Sequence, residues 1–273
     1  MRDFVAPSWQ AILEHNGLRD FEALWTLEAG WFEAPNRRRG GWSGVSRCEL
    51  SLPGGGTRAV FLKRQENHNA RSWTHPLRGA PTFLREFRRL RQYRARGIPT
   101  LEPVYFAMRR EAGQARAILA TEELAGFIPL DERARRWRLE GAPRSVRLAC
   151  IREVAALLAQ MHGHHIQHNC FFPNHVFTRL LEGGGVEARV IDLEKSRWRP
   201  LKVFCTLRDL DTLNRYSPIW SRSDRLRFLK AYLGAARLGP YGRWLWRRIG
   251  ELRMQKLRRK GLAPAAARGS GGD

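Results

Sequence analysis

The hydrophobic pattern of the chain changes at about residue 126 of its 273 residues. Up to that point it predicts short apolar strands that alternate with glycine turns, together with one clear helix. Beyond it, the pattern predicts long helices that flank a single β-hairpin. A β-rich part followed by a mainly helical part indicates an α+β fold with two lobes, and each lobe has enough chain to bury its own core.

The same pattern predicts how the chain is divided. We expect an N-terminal extension with some helix at 1–30, a small antiparallel β lobe with one helix at 31–125, and a larger, mainly helical lobe at 126–262 that ends in a basic helix. The last residues, 263–273, read "APAAARGSGGD", which predicts a disordered tail.

The small lobe carries the strongest local signals. Gly40, Gly41 and Gly44 predict a turn before a strand, and the apolar run "RAVFLKR" predicts another strand that ends near Lys63. The segment "PTFLREFRRLRQYRARG" predicts a helix, since apolar residues recur at helical spacing between a Pro-Thr start and a Gly stop. Glu86 lies beside the apolar stripe of this helix, where a carboxylate needs a cationic partner because burying it alone is costly.

The composition narrows the classes of possible binding partner but says little about the fold. Lys and Arg total 49 against 26 Asp and Glu, and the net charge of +23 favours nucleic acid, phosphorylated sugars or an anionic membrane face. A hydrophobic content of 43% excludes a mostly disordered chain. The four cysteines form no CxxC pair, the N-terminus lacks the apolar core of a secretory signal, and no run approaches the roughly 20 apolar residues of a membrane span. We therefore expect a reduced, cytoplasmic protein, and the sequence leaves its oligomeric state open.

Candidates for phosphoryl transfer follow one another along the chain. That reaction needs a cover for the phosphates, a lysine for their charge and a carboxylate for metal. The glycines at 40–44 would provide the cover, Lys63 the ammonium, Glu86 its partner, and Asp192, which ends the apolar run "RVID", the metal ligand. Each has an ordinary alternative when it is taken alone: a common glycine-rich loop, an exposed lysine, a surface ion pair or a turn aspartate.

Three further segments make the assignment of these residues to phosphoryl transfer more specific. "RARGIPTLEPVYF", "VIDLEKSR" and "DRLRFLKAYL" resemble segments of the protein-kinase-like superfamily and, more closely, of the Kdo/WaaP family of lipopolysaccharide kinases in its InaA-like branch. The resemblance runs from about Gly40 to Gly234. It implies a bilobal protein-kinase-like fold, ATP and Mg²⁺ as cofactors, and the lipopolysaccharide core, an anionic glycolipid, as the acceptor.

The resemblance also implies roles for single residues. Lys63 matches the strand lysine that binds the phosphates of ATP, and Glu86 matches its partner on the helix. Glu122 and Glu123 fall at the hinge that contacts adenine. Asp192 matches the metal-binding aspartate, with Leu-Glu in place of the usual Phe-Gly after it.

The catalytic loop departs from the protein-kinase pattern. In "HNCFFPNH", His168 takes the first position, Cys170 stands where the catalytic aspartate is expected, and His175 stands where a metal-binding asparagine is expected. A thiolate would act as base only if nearby cations lowered its pKa from about 8.5. Since Mg²⁺ prefers oxygen ligands, His175 either binds the metal imperfectly or orients a phosphate. Asp209 and Asp211 fall where a helix normally supports this loop.

Alternatives to an active kinase stay open at this stage. Cys170 supports a pseudokinase with the same fold and a binding or regulatory role. A zinc site would require His164, His165, His168 and His175 to converge near Cys170, and no second ligand group follows downstream. The charge alone suggests a nucleic-acid-binding protein, but the basic residues are spread along the chain and no RRM, KH or zinc-finger pattern is visible, so we expect no nucleic-acid partner.

The basic C-terminal segment "GRWLWRRIGELRMQKLRRK" has two interpretations. An apolar stripe at Leu245, Ile249 and Leu252, with Trp244 and Trp246, suits an amphipathic helix at an anionic membrane surface. The same stripe also suits a helix that packs on the core and leaves a basic face in solvent. Because a lipopolysaccharide kinase acts on lipid-anchored sugars, we expect peripheral contact with the inner face of the cytoplasmic membrane.

Overall fold

The computed structural model describes residues 3–38, 40–72, 75–111 and 113–259. Contacts within the chain divide it into two compact units, residues 1–126 with 189–194 and residues 127–188 with 195–273. The boundary after residue 126 lies where the hydrophobic pattern changes, but the short segment 189–194 returns to the first unit. The predicted tail at 263–273 lies outside the described residues.

The first unit is built on a six-stranded antiparallel sheet. Its strands are β1 (Phe4–Val5), β2 (Trp31–Arg38), β3 (Gly41–Ser51), β4 (Thr57–Glu66), β7 (Pro103–Glu111) and β8 (Gln114–Glu122), and a separate hairpin joins β5 (Asn69–Ser72) to β6 (His75–Pro81). The spatial order of the sheet is β1-β7-β8-β4-β3-β2. The predicted strand that carries Lys63 is confirmed as β4, and it lies beside β8 in the interior of the sheet.

The N-terminal residues form part of the core of this unit. They contain two short helices, α1 (Gln10–His15) and α2 (Phe21–Thr26), and β1 pairs with β7. Trp9, Phe21 and Leu24 are almost completely buried, and they cluster with sheet residues such as Leu62. Burial of this apolar surface joins residues 4–29 to the sheet.

The predicted helix of the small lobe is confirmed as α3 (Thr82–Ala95). Its apolar stripe faces the sheet, where Phe87 stacks on Phe106 of β7 with ring centroids 4.3 Å apart. The helix ends at Ala95, and Gly97 just beyond it has a φ of +66°, a left-handed conformation that glycine adopts without strain. The period of the apolar residues and the two end signals were therefore sufficient to locate this helix.

The second unit is mainly helical, as predicted. Its helices are α4 (Leu130–Glu140), α5 (Arg144–Gly163), α6 (Lys202–Tyr216), α7 (Arg222–Tyr232) and α8 (Pro240–Arg259). Two strands form the predicted hairpin, β11 (Val176–Leu180) and β12 (Val186–Val190), and three short strands were not predicted: β9 (Ile128–Pro129), β10 (Ile166–Gln167) and β13 (Arg197–Trp198). They form a three-stranded sheet, β12-β11-β9, and a two-stranded one, β10-β13.

Helix α8 is the predicted basic helix, and its apolar stripe packs on the unit. Leu245 is fully buried and Ile249 nearly so, and the helix contacts α6 and α7. Tyr241 and Trp244 are instead exposed and stack with ring centroids 5.8 Å apart. The stripe therefore serves the core, whereas the aromatic pair remains on the surface. No helix in the described part of the chain is long and apolar enough to cross a membrane.

Candidate functional site

A largely buried ion pair joins the sheet to helix α3 in the first unit. Lys63 Nζ donates a hydrogen bond of 2.6 Å to Glu86 Oε1. Lys63 lies near the end of β4, and the Glu86 side chain is only 9% exposed. The predicted pairing of these side chains is confirmed, and it supplies the cation that a buried carboxylate requires. The role of the pair toward ATP stays a prediction.

Gln65, two residues after Lys63 on β4, fixes the start of α3. Its Oε1 accepts hydrogen bonds from Thr82 Oγ1 at 2.9 Å and from the Phe83 N–H at 3.0 Å. The second bond satisfies a backbone N–H in the first turn, where the N-cap residue offers no side-chain cap. Since residues two apart on a strand share a face, and Glu86 lies one turn beyond Thr82, this contact sets the position from which Glu86 meets Lys63.

Electrostatics keep the Lys63 ammonium charged. Burial acts to lower the pKa of Lys63, but the attraction of Glu86, Asp192 and Glu33 outweighs burial, so the pKa of Lys63 is raised. Glu86 acts through its charge and its hydrogen bond, and Asp192 and Glu33 act through charge alone. Glu86, Asp192 and Glu33 thus all act on the one ammonium of Lys63.

Long-range backbone contacts hold Asp192 in the first unit. Thr100 Oγ1 donates to the Val190 carbonyl oxygen at 2.6 Å, and the Val190 N–H donates to Pro99 O at 3.2 Å. Pro99 and Thr100 belong to the "GIPT" segment, so that segment anchors the strand that leads to Asp192. Asp192 itself has a φ of +57°, a left-handed conformation that is uncommon for a residue with a side chain. Backbone strain of this kind occurs often at functional positions.

The predicted glycine cover is a tightly packed hairpin. Gly40 lies in the turn between β2 and β3 with a φ of +78°. A Cβ on Gly41 would clash with the Glu66 carbonyl oxygen, and one on Gly44 would lie 2.6 Å from the Trp31 ring. Gly41 and Gly44 lie within β3 and not in a turn before it, so the predicted turn holds for Gly40 alone. The positive φ of Gly40 and the close packing at Gly41 and Gly44 explain these glycines without a ligand, and their role as a cover for phosphates stays a prediction.

The carboxylates at the predicted hinge are both engaged in ion pairs. Glu122, the last residue of β8, pairs with Arg58 at 2.6 Å, and Glu123 pairs with Arg47 at 2.7 Å. The hydrogen bond from Arg47 lowers the pKa of Glu123 against the opposing effect of burial. The N–H of Glu123 donates to Ala59 O at 3.0 Å. An adenine contact at this segment would therefore use backbone carbonyl groups rather than these side chains.

In the second unit, Asp209 of α6 holds the backbone of the predicted catalytic loop. Its Oδ2 accepts the N–H of His168 at 2.7 Å, and its Oδ1 accepts the N–H of Asn169 at 2.8 Å. Asp209 is completely buried, and Asn169 has a φ of +70°. This is the support predicted for Asp209. Asp211 differs, because its Oδ2 pairs with Arg215 of its own helix at 3.2 Å and with Lys256 of α8.

Hydrogen bonds define the tautomers of two loop histidines. The N–H of Cys170 donates to His168 Nδ1 at 3.3 Å, so the proton of a neutral His168 ring lies on Nε2. His175 donates from Nδ1 to the carbonyl oxygen of Cys170 at 3.0 Å, because a carbonyl oxygen only accepts. A neutral His175 therefore carries its lone pair on Nε2, the form in which imidazole binds a metal. His168 suits a structural role, whereas His175 retains ligand chemistry.

The histidine-rich stretch gives no support to a zinc cage. Among the described residues, no group of three or more His, Cys, Asp or Glu is placed to hold a metal ion. His162, at the end of α5, is buried and bonds Asp209 Oδ2 at 3.2 Å and the Tyr232 hydroxyl at 2.9 Å. His165 Nδ1 bonds the carbonyl oxygen of Arg199 at 3.0 Å. These contacts stabilise the fold around the loop.

The first unit nevertheless fits a nucleotide with its metal. In nucleotide sites Mg²⁺ binds one or two carboxylates and takes its other oxygens from phosphates and water, so it needs no cluster of three protein ligands. Asp192 would supply the carboxylate. The Lys63 ammonium has three N–H bonds, of which Glu86 takes one, and the others suit phosphate oxygens.

The antiparallel sheet with α3 and the mainly helical second unit define a protein-kinase-like fold. A solved structure titled "WaaP in complex with acyl carrier protein" matches this chain with a TM-score of 0.66 and 24% sequence identity. The match covers 97% of this chain and 100% of that chain. At this identity the likeness establishes the fold alone.

Sequence comparison then defines the family. The profile of the lipopolysaccharide kinase (Kdo/WaaP) family matches residues 22–232. Protein InaA of Escherichia coli (strain K12) is 30% identical over 197 residues, which cover 72% of this chain and 88% of that protein. The chain belongs to the lipopolysaccharide kinase (Kdo/WaaP) family, as its motifs predicted. Membership supports a function of the lipopolysaccharide kinase type and implies the use of ATP, typically with Mg²⁺.

Proposed function

We propose that the protein transfers the γ-phosphoryl group of ATP, with Mg²⁺, to a sugar hydroxyl of the lipopolysaccharide core. The observation that carries the proposal is the 2.6 Å pair between Lys63 and Glu86, with Asp192 acting on the same ammonium. A charged lysine held by a helix glutamate, together with a carboxylate for metal, supplies the positioning and charge neutralisation on which phosphoryl transfer depends.

Each residue then has a defined task. Lys63 binds phosphate oxygens, Glu86 positions Lys63, and Asp192 binds Mg²⁺, which neutralises charge on the transferred group when it is bound. His175 acts through Nε2, either as a metal ligand or toward a phosphate. Cys170 orients the acceptor hydroxyl. Because the transition state is loose, a weak base at this position slows transfer without abolishing it.

Cys170 also favours a second candidate, a pseudokinase that binds nucleotide and transfers nothing. The residue is only 8% exposed, and a neutral thiol is a weak hydrogen-bond acceptor. The backbone around it is nevertheless held as in a functional loop, since Asp209 accepts the N–H groups of His168 and Asn169. The two candidates share the nucleotide site and differ only in turnover.

Binding and transfer assays on matched variants separate these candidates. Mg·ATP binding is measured by thermal shift, and transfer of the labelled γ-phosphate to purified lipopolysaccharide core is measured directly. We expect the wild type to bind and transfer, Asp192→Ala to lose both, and Cys170→Asp to bind as the wild type does. Glu251→Gln, which removes an exposed carboxylate of α8, is the control that changes neither.

The outcomes are distinct. Wild-type binding without transfer, together with transfer by Cys170→Asp, would establish the pseudokinase. Absence of saturable Mg·ATP binding in the wild type would reject both candidates. Equal transfer by Asp192→Ala and the wild type would reject the metal role of Asp192.

The location that suits this function is the cytoplasmic face of the inner membrane, which we propose the protein contacts peripherally. The exposed stacked pair Tyr241 and Trp244 lies on α8 beside exposed Arg243 and Arg247. Aromatic rings next to basic side chains suit an anionic headgroup layer. In co-sedimentation with vesicles of mixed zwitterionic and anionic lipid, Trp244→Ser should bind less than the wild type, and both should dissociate at high salt. Equal binding by the two proteins would remove this surface from the proposal.

A further inference from the structure

Three arginine side chains of the second unit meet beside the predicted catalytic loop. Arg197 and Arg199 both donate from Nε to Gln167 Oε1, at 3.3 and 2.7 Å. Arg208 donates from Nε to Asn169 Oδ1 at 3.2 Å, and Arg197 approaches the same oxygen from Nη2 at 3.4 Å. Two neutral amide oxygens thus accept hydrogen bonds from three arginines. Asn169, which accepts from two of them, immediately precedes Cys170 in the loop.

This arginine cluster lacks a compensating negative charge. Within the described part of the chain, none of its three members forms an ion pair with a carboxylate, and all four of their contacts are to amide oxygens. Burial and the charges of Arg199 and Arg208 lower the pKa of Arg197, and Asp209 opposes them. Asp209, however, gives its oxygens to the loop N–H groups and to His162. Mutual repulsion of the guanidinium groups therefore remains until an anion binds.

The arginine cluster is also accessible. Arg197 and Arg208 are exposed and Arg199 is half-buried. Their contacts occupy each Nε and one Nη of Arg197, so most of the terminal N–H groups have no acceptor among the residues that the structure describes. A guanidinium presents its N–H groups in a planar fork that matches the spacing of phosphate oxygens.

We propose that Arg197, Arg199 and Arg208 form an oxyanion site for a phosphate group already present on the acceptor glycolipid. Three guanidinium groups suit a dianionic tetrahedral phosphate better than a carboxylate, whose two oxygens are satisfied by one bidentate arginine. Such a site would recognise the acceptor by its charge beside the loop that receives its hydroxyl. The identity of the acceptor rests on the proposed function, but the existence of the oxyanion site does not.

The site is tested by NMR of arginine side chains during titration with inorganic phosphate. The Nε–H signals of the three arginines are assigned by single Arg→Gln substitutions, in a Lys63→Ala background that removes the proposed nucleotide contact. We expect saturable shifts of these three signals and none for Arg237, an exposed arginine of the same unit. Arg208→Gln should raise the apparent Kd about fivefold to tenfold, as expected for one exposed charge-assisted contact, and Arg237→Gln should not change it.

A purely structural role predicts different results. If the arginines only crosslink Gln167 and Asn169, Arg208→Gln lowers the melting temperature and phosphate has no saturable effect, which would overturn the proposal. If they form an anion site, Arg208→Gln relieves repulsion and leaves the melting temperature equal or higher. Phosphate shifts of equal size at the arginine cluster and at Arg237 would also overturn it, because they would indicate general screening.

Two further measurements identify the source of the phosphate. A sugar phosphate should compete with inorganic phosphate, whereas glucose should not. Intact mass after incubation with Mg·ATP should stay unchanged; a gain of one phosphate with loss of the titration would reassign the site to a phosphorylated side chain of this protein. None of these measurements requires catalytic turnover. A failed transfer assay together with a positive phosphate titration would therefore reject the proposed function and leave the oxyanion site standing.

Discussion

The Lys63 pair in the first unit and the loop around Cys170 in the second unit keep different parts of the kinase pattern. The first keeps its charged side chains: Lys63 bonds Glu86 at 2.6 Å, and Asp192 adds its charge. The second keeps the backbone support by Asp209, but it carries a thiol and an imidazole in place of an aspartate and an asparagine.

This difference indicates which part of the chemistry tolerates change. Binding of a polyphosphate requires fixed charge, and under the proposed function Lys63 and Asp192 supply it. The proton acceptor contributes less when the transition state is loose. If the protein is an active kinase, the loop has exchanged its reactive side chains while its backbone keeps the buried support of Asp209. Three predictions test this contrast.

The largest effect should follow loss of the loop support. Asp209→Ala leaves the buried N–H groups of His168 and Asn169 without an acceptor, and we expect it to lower the free energy of unfolding by about 3–5 kcal/mol. Asp211→Ala, two residues along α6, removes a buried carboxylate whose partners Arg215 and Lys256 are partly exposed and can be hydrated after its loss, so it should cost about 1–2 kcal/mol. Urea denaturation measures both. Equal losses would mean that Asp209 is an ordinary buried acid and that the loop has no special support.

Alkylation kinetics add a local measure to this comparison. Burial raises the pKa of Cys150 to about 12 and that of Cys205 to about 11, so both thiols should react slowly in the folded protein at pH 8. A rise in labelling of Cys170 alone in Asp209→Ala would show that the loop opens locally. Parallel increases at all the cysteines would instead indicate global unfolding.

The second effect should follow loss of the buried pair. Glu86→Gln leaves the Lys63 ammonium without its main partner, which should lower the free energy of unfolding by roughly 1.5–3 kcal/mol at pH 7. Glu123→Gln breaks a more exposed pair with Arg47 and should cost less than about 1 kcal/mol. A cost of Glu86→Gln no larger than that of Glu123→Gln would show that the Lys63 pair is an ordinary surface contact.

The pH dependence of the pair has a definite sign. The folded-state pKa of Lys63 is raised, so its contribution is fully present below the unfolded value of about 10.4 and is lost as the pH rises through the folded value. The cost of Glu86→Gln should therefore be constant from about pH 6 to 9 and decline only in strong alkali. A decline near neutral pH would indicate that Lys63 is not the partner that matters.

What could be predicted from the sequence was the local part of this structure. Helix α3 was predicted from the spacing of Phe83, Phe87 and Leu90, which form its apolar stripe. The need of Glu86 for a cationic partner was predicted from its place beside that stripe. The family profile and the resemblance of its motifs agree over most of the chain. Periodicity and end signals act over a few residues, so they identify elements and the side chains on each face.

Contacts between distant residues could not be predicted in this way. Gln65 bonds the first turn of α3 across the β5–β6 hairpin, and Thr100 bonds Val190, ninety positions along the chain. The arginine cluster likewise depends on β10 pairing with β13, which brings Gln167 to Arg197. Such contacts depend on tertiary packing, and a single sequence carries no signal of which polar residue will meet which backbone group.

The smallest effect on stability should come from Asp192, where the largest functional effect is expected. Asp192→Asn should lower the free energy of unfolding by about 0.5–1 kcal/mol, because it removes an attraction to the Lys63 ammonium while Asn adopts the φ of +57° readily, yet Mg·ATP binding should be lost with the carboxylate. Asp192→Ala should lose binding equally and cost about 1–2 kcal/mol more, because alanine is strained in the left-handed region. Urea denaturation and an Mg·ATP thermal shift measure the two properties. If Asp192→Asn still binds Mg·ATP as the wild type does, the carboxylate is not the metal ligand, and the first unit no longer holds the intact half of the kinase pattern.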